Sequence, residues 1–438
     1  MAKNDWDNLF GKDYFITLTN IERTYFALTP LSDRWECETF YSKTNMWYTR
    51  VVVFYEGNTI VKVIHEEKRL LGDNTVDFAY YQEYDTTLVT QERKLLMPQT
   101  ARGKPKKLTA ANITAVLPFG CRFHIQFQRG KDSYLILDNP RANKEFPVGE
   151  WEHIKNIKND TDFHIFASYY IETCRESYLE KLKAFQNAKK LTVKYMVGDI
   201  FRMDYDRTRY CYGIIIGDVK RIQSLPELPE RHSLRQLMMV PIMVRFSQLI
   251  TDDPSLKNDD LASIPLGRLS ICADNDIIWG RHTIVDRKKL DTEDLEFNLV
   301  CTKLFSELSQ HETLFTQDRM FRDGMIKNKT YSLFIEWGTA QAVLSSNRIS
   351  PELKAIMDSY SSPHGGVNIS IDPLYAVPDS KRKNAVNYRM NLLNPENSEL
   401  KELLFSALGL KPDSDFDEFA TAFNGLTKEV LCSKIFKQ

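Results

Sequence analysis

Cysteine is scarce in this chain, and no two cysteines are spaced as a metal-binding or redox pair would be. The seven cysteines are scattered through 438 residues, and none forms a Cys-x-x-Cys motif. Their odd number and wide spacing argue against a disulfide framework and favour reduced, mostly buried thiols. We therefore expect a cytoplasmic protein.

Long apolar runs and an excess of one charge sign are also missing. The apolar runs Val51–Tyr55 and Ile214–Ile216 are far too short to cross a bilayer. The first residues lack the basic and apolar segments of a secretory signal. The net charge is −1, so no general attraction to nucleic acid or anionic lipid is expected. These features predict a protein without a membrane partner.

The sequence also lacks the motifs of the common enzyme classes. It has no Gly-x-Ser-x-Gly elbow and no glycine-rich phosphate loop, and its eight histidines are dispersed. The segment His364-Gly365-Gly366 resembles the oxyanion segment of lipases, but without the elbow it indicates a turn. We therefore predict no catalytic residue, no cofactor and no metal site, and hence a protein that is not an enzyme.

The length of 438 residues exceeds what one hydrophobic core usually covers, which predicts at least two domains. Hydrophobic residues make up 42% of the chain and charged residues 27%, which suits a globular protein. The order of strand-like and helix-like segments predicts an α+β fold in three parts. These are a β-rich N-terminal domain over 1–160, a connecting amphipathic helix over 161–190, and a mixed β-rich C-terminal domain with peripheral helices over 191–438.

β-Branched and aromatic residues in the first part predict three strand pairs. The first pair surrounds Gly57-Asn58, which suits a two-residue hairpin turn. The predicted strands are Met46–Tyr55 with Ile60–Ile64, Asp77–Tyr81 with Thr86–Thr90, and Cys121–Phe127 with Tyr134–Leu137.

A single long helix is predicted for the second part, because apolar residues recur there at spacings of three and four. Asp162 favours the amino end of this helix, and Lys189 and Lys190 favour its carboxyl end. We expect the helix to dock between the two β-rich parts. Its apolar stripe consists of Ala167, Ile171, Cys174, Tyr178, Leu182 and Phe185.

The third part opens with a tight strand pair, Lys194–Asp204 and Tyr210–Gly217. Gly198 and Gly213 suit its corners, because glycine adopts backbone angles that a β-carbon would penalise. The other predicted strands are Met239–Phe246, Asp276–Trp279 and Tyr331–Trp337, and the predicted helices are Ser350–Tyr360, Ser398–Leu408 and Thr427–Phe436, with a turn at 361–366 and an acidic linker at 413–417.

Several segments of the third part resemble immunity protein 26, a family of bacterial polymorphic toxin systems. The resemblance extends from Leu191 to about Tyr375, and the segments agree in order and spacing. Compared with the family, this chain adds the whole N-terminal part and an insertion over 221–237. The segments are Gly198–Phe201, Tyr210–Gly213, Asp276–Val285, Phe334–Gly338 and Ser362–Val367, and the family-like positions include Trp279, Arg281, Trp337 and His364.

The resemblance implies an intracellular antidote that binds and neutralises a cognate toxin and has no catalytic residues. Such an antidote would act by occlusion, through an interface of about 1,600 Å² in total. If the toxin is a basic nuclease, acidic loops are the natural contacts, because complementary charge speeds encounter. Plain solubilising loops are the alternative interpretation. The candidate partner-binding residues are Asp252, Asp253, Asp259 and Asp260 in one acidic cluster, and Asp413, Asp415 and Asp417 in the other.

A basic loop in the first part supports a second hypothesis. Four cations lie within six residues, beside a region rich in tyrosine and tryptophan. Basic strips next to exposed aromatic rings bind single-stranded nucleic acid by phosphate contact and stacking. The alternative is a solvated loop, which its glycine and proline fit. The sequence therefore predicts binding to a protein toxin first, and a nucleic-acid-associated defence or regulatory role second. The four cations are Arg102, Lys104, Lys106 and Lys107.

Overall fold

The fold is α+β, as the sequence predicts. The computed structural model describes residues 16–71, 76–116, 118, 120–149, 151–237, 241–305, 330–359 and 391–436. Within these residues the strands form three antiparallel sheets of nine, five and three strands, and helices lie mainly in the C-terminal half. No helix in the same ranges is long and apolar enough to cross a membrane.

The chain divides into two compact units. The first contains Met1–Thr192 and Asp204–Thr208, and the second contains Val193–Met203 and Arg209–Gln438. The division of the sequence at residues 160 and 190 into separate domains stays a prediction.

A nine-stranded sheet forms the frame of the first unit. Its strands are β1 Glu36–Thr44, β2 Trp47–Glu56, β3 Thr59–Leu70, β4 Val76–Gln91, β5 Leu95–Leu96, β6 Lys106–Lys107, β7 Arg122–Gln128, β8 Tyr134–Asn139 and β9 Lys144–Phe146. Seven of them follow the order β1-β2-β3-β4-β7-β8-β9, and β5 and β6 extend the sheet beside β4.

Two of the three predicted strand pairs are confirmed. Strands β2 and β3 form a hairpin around Gly57-Asn58, and Gly57 has the positive φ of 62° that such a turn favours. Strands β7 and β8 form the other confirmed pair, with Phe123 opposite Leu137. Local turn chemistry was sufficient to define the first hairpin.

The predicted pair Asp77–Tyr81 and Thr86–Thr90 is wrong, because both segments belong to the single strand β4. The residues between them contain no glycine, proline or asparagine that would favour a turn. Their backbone instead continues the sheet, in which β4 pairs with β3 on one side and β7 on the other. A register shift at Ile60–Lys62 accommodates its length.

The predicted single helix over 161–190 is also wrong, because two helices occupy this range. They are α4, Asp160–Glu172, and α5, Tyr178–Gln186. The first ends at Thr173, whose side chain turns back to the carbonyl of Tyr169 at 2.7 Å and so competes with helix continuation. Preceding these are α1 Asn20–Tyr25, α2 Ala110–Thr114 and α3 Trp151–Ile154.

Both helices contribute to the hydrophobic core of the first unit. The predicted docking of this segment between the two β-rich parts stays a prediction. Aromatic rings join helix and sheet. Phe26 lies 5.0 Å from Phe123 of β7 and 5.2 Å from Tyr170 of α4, measured between ring centroids. The hydroxyls of Tyr170 and Tyr178 lie 2.9 Å apart and link the two helices to each other.

The second unit contains a five-stranded and a three-stranded sheet. Strands β10 Asp199–Asp204, β11 Tyr210–Asp218, β12 Pro241–Thr251, β13 Ser270–Ala273 and β14 Thr283–Arg287 form the first, and β15 Leu299–Phe305, β16 Tyr331–Trp337 and β17 Ala340–Leu344 form the second. The five strands follow the order β13-β12-β11-β10-β14, so the predicted strand pair β10–β11 is confirmed.

The two glycines of this strand pair have different roles. Gly198 has φ of +90° just before β10 and suits a corner, as predicted. Gly213 lies inside β11, so its predicted role as a corner is wrong. A β-carbon on Gly213 would lie only 2.5 Å from Cζ of Phe201, so glycine is needed there for close packing against the ring.

All three helices predicted for the second unit are confirmed, whereas Asp276–Trp279, predicted as a strand, lies largely in helix α8. The helices are α6 Val219–Gln223, α7 Asn258–Leu261, α8 Asn275–Ile278, α9 Pro351–Ser359, α10 Ser398–Leu408, α11 Phe416–Ala422 and α12 Lys428–Ile435. Ser350 caps α9 as predicted, accepting a hydrogen bond from the backbone N–H of Leu353 at 3.1 Å. The predicted turn at 361–366 lies outside the described residues.

The insertion over 221–237 packs into the second unit. Its residues Leu228 and Leu234 are buried in the core that both sheets share. The carboxylate of Glu336 on β16 accepts hydrogen bonds from the Ser233 backbone N–H, at 3.0 Å, and from the Ser233 hydroxyl. This segment is therefore a fixed part of the unit.

Candidate partner-binding surfaces

The first acidic cluster lies on a short segment between β12 and β13, and the backbone of this segment is held by the sheet beside it. The hydroxyl of Tyr212 on β11 donates to the carbonyl of Asp253 at 2.7 Å. The guanidinium of Arg202 on β10 donates to the carbonyl of Pro254 at 2.5 Å. The buried Tyr212 and the half-buried Arg202 thus hold the backbone of this segment against the sheet.

Hydrogen bonds inside the segment shape it further. The Asp253 carboxylate accepts hydrogen bonds from the backbone N–H and the hydroxyl of Ser255, at 2.8 and 2.6 Å. The Asp260 carboxylate accepts one from the backbone N–H of Lys257 at 2.8 Å, at the start of α7. Two of the four predicted partner-binding carboxylates therefore stabilise their own loop.

A fifth carboxylate joins the cluster from β14. Asp286 accepts a hydrogen bond from the backbone N–H of Asn258 at 2.9 Å, and Lys257 Nζ donates to the carbonyl of Val285 at 2.7 Å. These contacts tie the segment to the edge strand of the sheet. Sequence reasoning missed Asp286, because it is 26 positions beyond Asp260 in the chain and only strand pairing brings it near.

The carboxylates of this cluster are exposed or half-buried. Asp252, Asp259 and Asp260 are exposed, and Asp253 is half-buried. The hydrogen bonds from Ser255 hold the pKa of Asp253 below its ordinary value. The backbone N–H groups of Asn258 and Arg287 do the same for the pKa of Asp286. The segment therefore presents negative charge at neutral pH on a backbone of defined shape.

The second acidic cluster lies at the start of a helix that the sequence analysis did not predict. The range 413–417, predicted as a linker, includes the cap and first turn of α11. The Asp415 carboxylate accepts from the backbone N–H of Glu418 at 2.9 Å, which completes a capping box. Asp417 accepts from the backbone N–H of Lys428 at 2.7 Å. All three candidate carboxylates are exposed, and Asp413 lies just before the cap.

The four candidate nucleic-acid-binding residues of the basic loop are exposed. Lys106 and Lys107 form strand β6, which pairs with Leu95–Leu96 of β5. No ion pair between these cations and a carboxylate occurs in the described part of the chain. The loop therefore keeps its charge available to solvent. The four residues are Arg102, Lys104, Lys106 and Lys107.

The family-like aromatic positions are structural where the structure describes them. Trp337 is buried, and its indole N–H donates to the carbonyl of Phe297 at 3.2 Å. Trp279 ends α8, and the guanidinium of Arg281 lies 5.2 Å from its ring and 2.9 Å from the Asp276 carboxylate. His364 lies outside the described residues.

Among the described residues, no group of three or more His, Cys, Asp or Glu side chains could hold a metal ion. None of the seven cysteines is in a disulfide. Burial raises the pKa of Cys121 and of Cys301 to about 12, so these thiols are protonated at neutral pH and weakly nucleophilic.

Comparison with known proteins gives one finding. The family model of immunity protein 26 matches residues 196–308. The resemblance inferred from the sequence is thereby confirmed over this range, which includes all five strands of the five-stranded sheet and the acidic segment. Neither the curated proteins nor the solved structures contain a significant match to the chain.

Proposed function

We propose that this protein is a non-enzymatic antidote that binds and covers a cognate protein toxin in the cytoplasm. The similarity of residues 196–308 to immunity protein 26 carries the proposal, because that family's name denotes an immunity function. Toxin neutralisation by occlusion needs no catalytic group. It needs a surface of defined shape and suitable charge, on the order of 800 Å² on each partner.

The acidic segment over 252–260, together with Asp286, is the surface that we propose for the toxin. It lies within the matched residues, its backbone is fixed by Tyr212 and Arg202, and its carboxylates face solvent. A loop held in one conformation loses less conformational entropy when it binds. Its negative charge would steer a basic toxin, such as a nuclease, toward it. Asp413, Asp415 and Asp417 are the second proposed contact.

The first experiment is co-purification of the tagged full-length chain from its native host at low and moderate salt, with partners identified by mass spectrometry. A stoichiometric partner that arrests growth when expressed alone, and fails to do so when co-expressed with this chain, would support the antidote function. Recovery of no such partner, or a partner without toxicity, would contradict it.

Charge reversal then tests the contact surface. The variant Asp252→Lys/Asp259→Lys alters two exposed carboxylates and leaves the loop-stabilising Asp253 and Asp260 intact. We expect slower association and at least tenfold weaker binding to a basic toxin, equivalent to about 1.4 kcal/mol. The control Glu402→Lys/Glu429→Lys changes the net charge equally at exposed helix positions of the same unit. Equal affinity of the two variants would exclude this contact while leaving the antidote function standing.

The basic loop supports the second candidate function, association with nucleic acid, because its four cations are exposed and form no ion pair in the described part of the chain. Binding of this type weakens steeply as salt rises, since bound counterions are released. Retention on single-stranded DNA or RNA that is unchanged after all four cations are replaced by alanine would remove this candidate.

A further inference from the structure

Strand β1 forms an outer edge of the nine-stranded sheet and has β2 as its one neighbour among the described strands. Its nine residues pair with β2 in an unbroken register, from Glu36 opposite Tyr55 to Thr44 opposite Trp47. Six of the nine residues are exposed, and none is buried. β1 is therefore a long and regular edge strand that is largely open to solvent.

Alternate residues of β1 direct their backbone groups away from the sheet. Thr44 and Trp47 flank the two-residue turn at 45–46. The pair that closes such a turn exchanges both of its backbone hydrogen bonds, so every second residue counted back from Thr44 directs its N–H and C=O to β2. The residues between them direct these groups outward. They include Cys37, Thr39 and Lys43.

Other edge strands are short or covered, whereas most of β1 is open. β9 has three residues, and β6 consists of two lysines, a residue type that discourages pairing with a further strand. At the edge strand β14, Lys257 Nζ donates to the carbonyl of Val285 at 2.7 Å. β1 contains no proline, glycine or bulge. An edge of this kind suits pairing with a strand of another chain.

The charged side chains of β1 have contacts within their own unit. The Glu36 carboxylate accepts two hydrogen bonds from the Arg93 guanidinium, at 2.7 and 3.1 Å. The Glu38 carboxylate accepts one from the hydroxyl of Tyr55 on β2, at 3.2 Å. The Nζ of Lys43 lies 4.7 Å from the centroid of a second tyrosine ring of β2. These contacts reduce the repulsion that an approaching strand of like charge would meet.

We propose that β1 pairs with the β1 of a second copy of this chain, as antiparallel strands related by a two-fold axis through Phe40. This axis gives the full overlap of the nine residues, and it is the closed, self-complementary arrangement that is commonest among oligomers. It also brings outward-directed backbone groups together. Cys37 then lies opposite Lys43 of the second copy, and the two exchange a pair of backbone hydrogen bonds at each end of the paired strands.

The side chains of β1 are self-complementary in this register. Each Glu36 lies opposite a threonine, each Glu38 lies opposite a serine, and the two Phe40 rings face each other. No two like charges are directly opposite, an arrangement that would destabilise a strand pair. The sequence of β1 thus favours a second copy as the occupant of this edge. The inference is independent of the antidote function, because β1 lies outside the residues that match immunity protein 26.

Sedimentation velocity of the full-length chain, in reducing buffer and over a range of concentrations, tests the pairing. We expect the wild type to change from monomer to dimer as its concentration rises. Thr39→Pro removes an outward N–H and places the proline ring on the open edge, so this variant should self-associate about tenfold more weakly. The matched control Thr39→Val keeps the N–H and should self-associate like the wild type.

Two charge variants test the register without a proline. Cys37→Lys places a second lysine opposite Lys43 at both ends of the paired strands and should weaken the dimer. Cys37→Glu places a carboxylate there instead and should strengthen the dimer. Both variants change one exposed side chain, so neither disturbs the core of the unit.

A wild type that stays monomeric at every concentration would overturn the inference, as would a dimer that Thr39→Pro and both Cys37 variants leave unchanged. If the wild type is monomeric alone and Thr39→Pro weakens its complex with the toxin, β1 binds a strand of the toxin and the inference is wrong. The sedimentation experiment contains no toxin, so its result leaves the proposed antidote function to its own test.

Discussion

The guanidinium of Arg23 on α1 donates two hydrogen bonds, of 2.8 and 3.2 Å, to the carboxylate of Glu83 on β4, and both side chains are buried. Lys62 on β3, which is fully buried, lies 2.9 Å from the same carboxylate, and the Tyr81 hydroxyl donates to it at 2.6 Å. Burial alone would raise the pKa of Glu83, but Lys62 and Arg23 outweigh it and hold the pKa below its ordinary value.

Loss of Arg23 should destabilise the first unit strongly. For Arg23→Met we expect the free energy of unfolding to fall by about 3 kcal/mol, the lower end for a broken buried ion pair because Lys62 still faces Glu83. Urea unfolding measures the change. The control Lys94→Ala removes an ion pair with Glu92 in which both side chains are more than two-thirds exposed, and should cost less than about 0.5 kcal/mol. Similar costs in the two variants would contradict this account.

Glu66 should make stability depend on pH. Burial raises the pKa of Glu66 from its ordinary value of 4.5 to about 7, despite the nearby Arg50. A raised carboxyl pKa means that stability present below pH 4.5 is lost as the pH rises to about 7. The free energy of unfolding of the wild type, compared with that of Glu66→Gln, should therefore fall by about 1.4 kcal/mol per pH unit across this interval.

The measurement for Glu66 is urea unfolding of both proteins from pH 4 to pH 8. The exposed Glu56→Gln, at the end of β2, serves as the control and should show no such trend. A difference between wild type and Glu66→Gln that stays constant with pH would show that Glu66 titrates normally.

Adding a methyl group at Gly213 should disturb the sheet of the second unit. The new β-carbon of Gly213→Ala would lie 2.5 Å from Cζ of the fully buried Phe201, so we expect a cost of about 1–3 kcal/mol. Phe201→Leu removes the obstructing ring atoms. In a double-mutant cycle, the two substitutions together should cost less than the sum of their separate costs. Additive costs would mean that the ring moves aside without strain.

Asp415 and Asp413 should differ in their effect on stability, although both are exposed acids two positions apart. Asp415→Ala removes the cap of α11 and should cost about 1 kcal/mol in thermal or urea unfolding. Asp413→Ala removes no described hydrogen bond and should be nearly neutral. If both are neutral, the capping box contributes nothing measurable.

Elements defined by local chemistry were predictable from the sequence. The hairpin β2–β3 follows from Gly57-Asn58, and the bounds of α10 match the predicted Ser398–Leu408. Prediction failed where contacts between residues distant in sequence determine the structure. The β4 strand continues through polar residues because Glu83 forms ion pairs with Arg23, 60 positions away, and with Lys62 on the neighbouring strand.

The candidate binding surfaces were also only partly predictable from the sequence. The acidic residues over 252–260 are adjacent in sequence and could be found there, but Asp286 could not, and neither could the ring contacts that join His65, Tyr80, His124 and Tyr134. His65, Tyr80, His124 and Tyr134 span 69 positions, and none belongs to a motif. Only the strand order β3-β4-β7-β8 places them side by side.

Residues 204–208 belong to the first unit, although the chain on both sides of them belongs to the second. Within the first unit, Lys181 donates to the Asp204 carboxylate at 2.7 Å, and Arg207 donates to the Tyr170 carbonyl at 2.6 Å. A cut after Thr192 therefore does not separate the two units cleanly, because the fragment that begins at residue 193 retains five residues of the first unit. The segment that is similar to immunity protein 26 contains residues 204–208. Expressing this segment on its own would therefore take five residues away from the first unit.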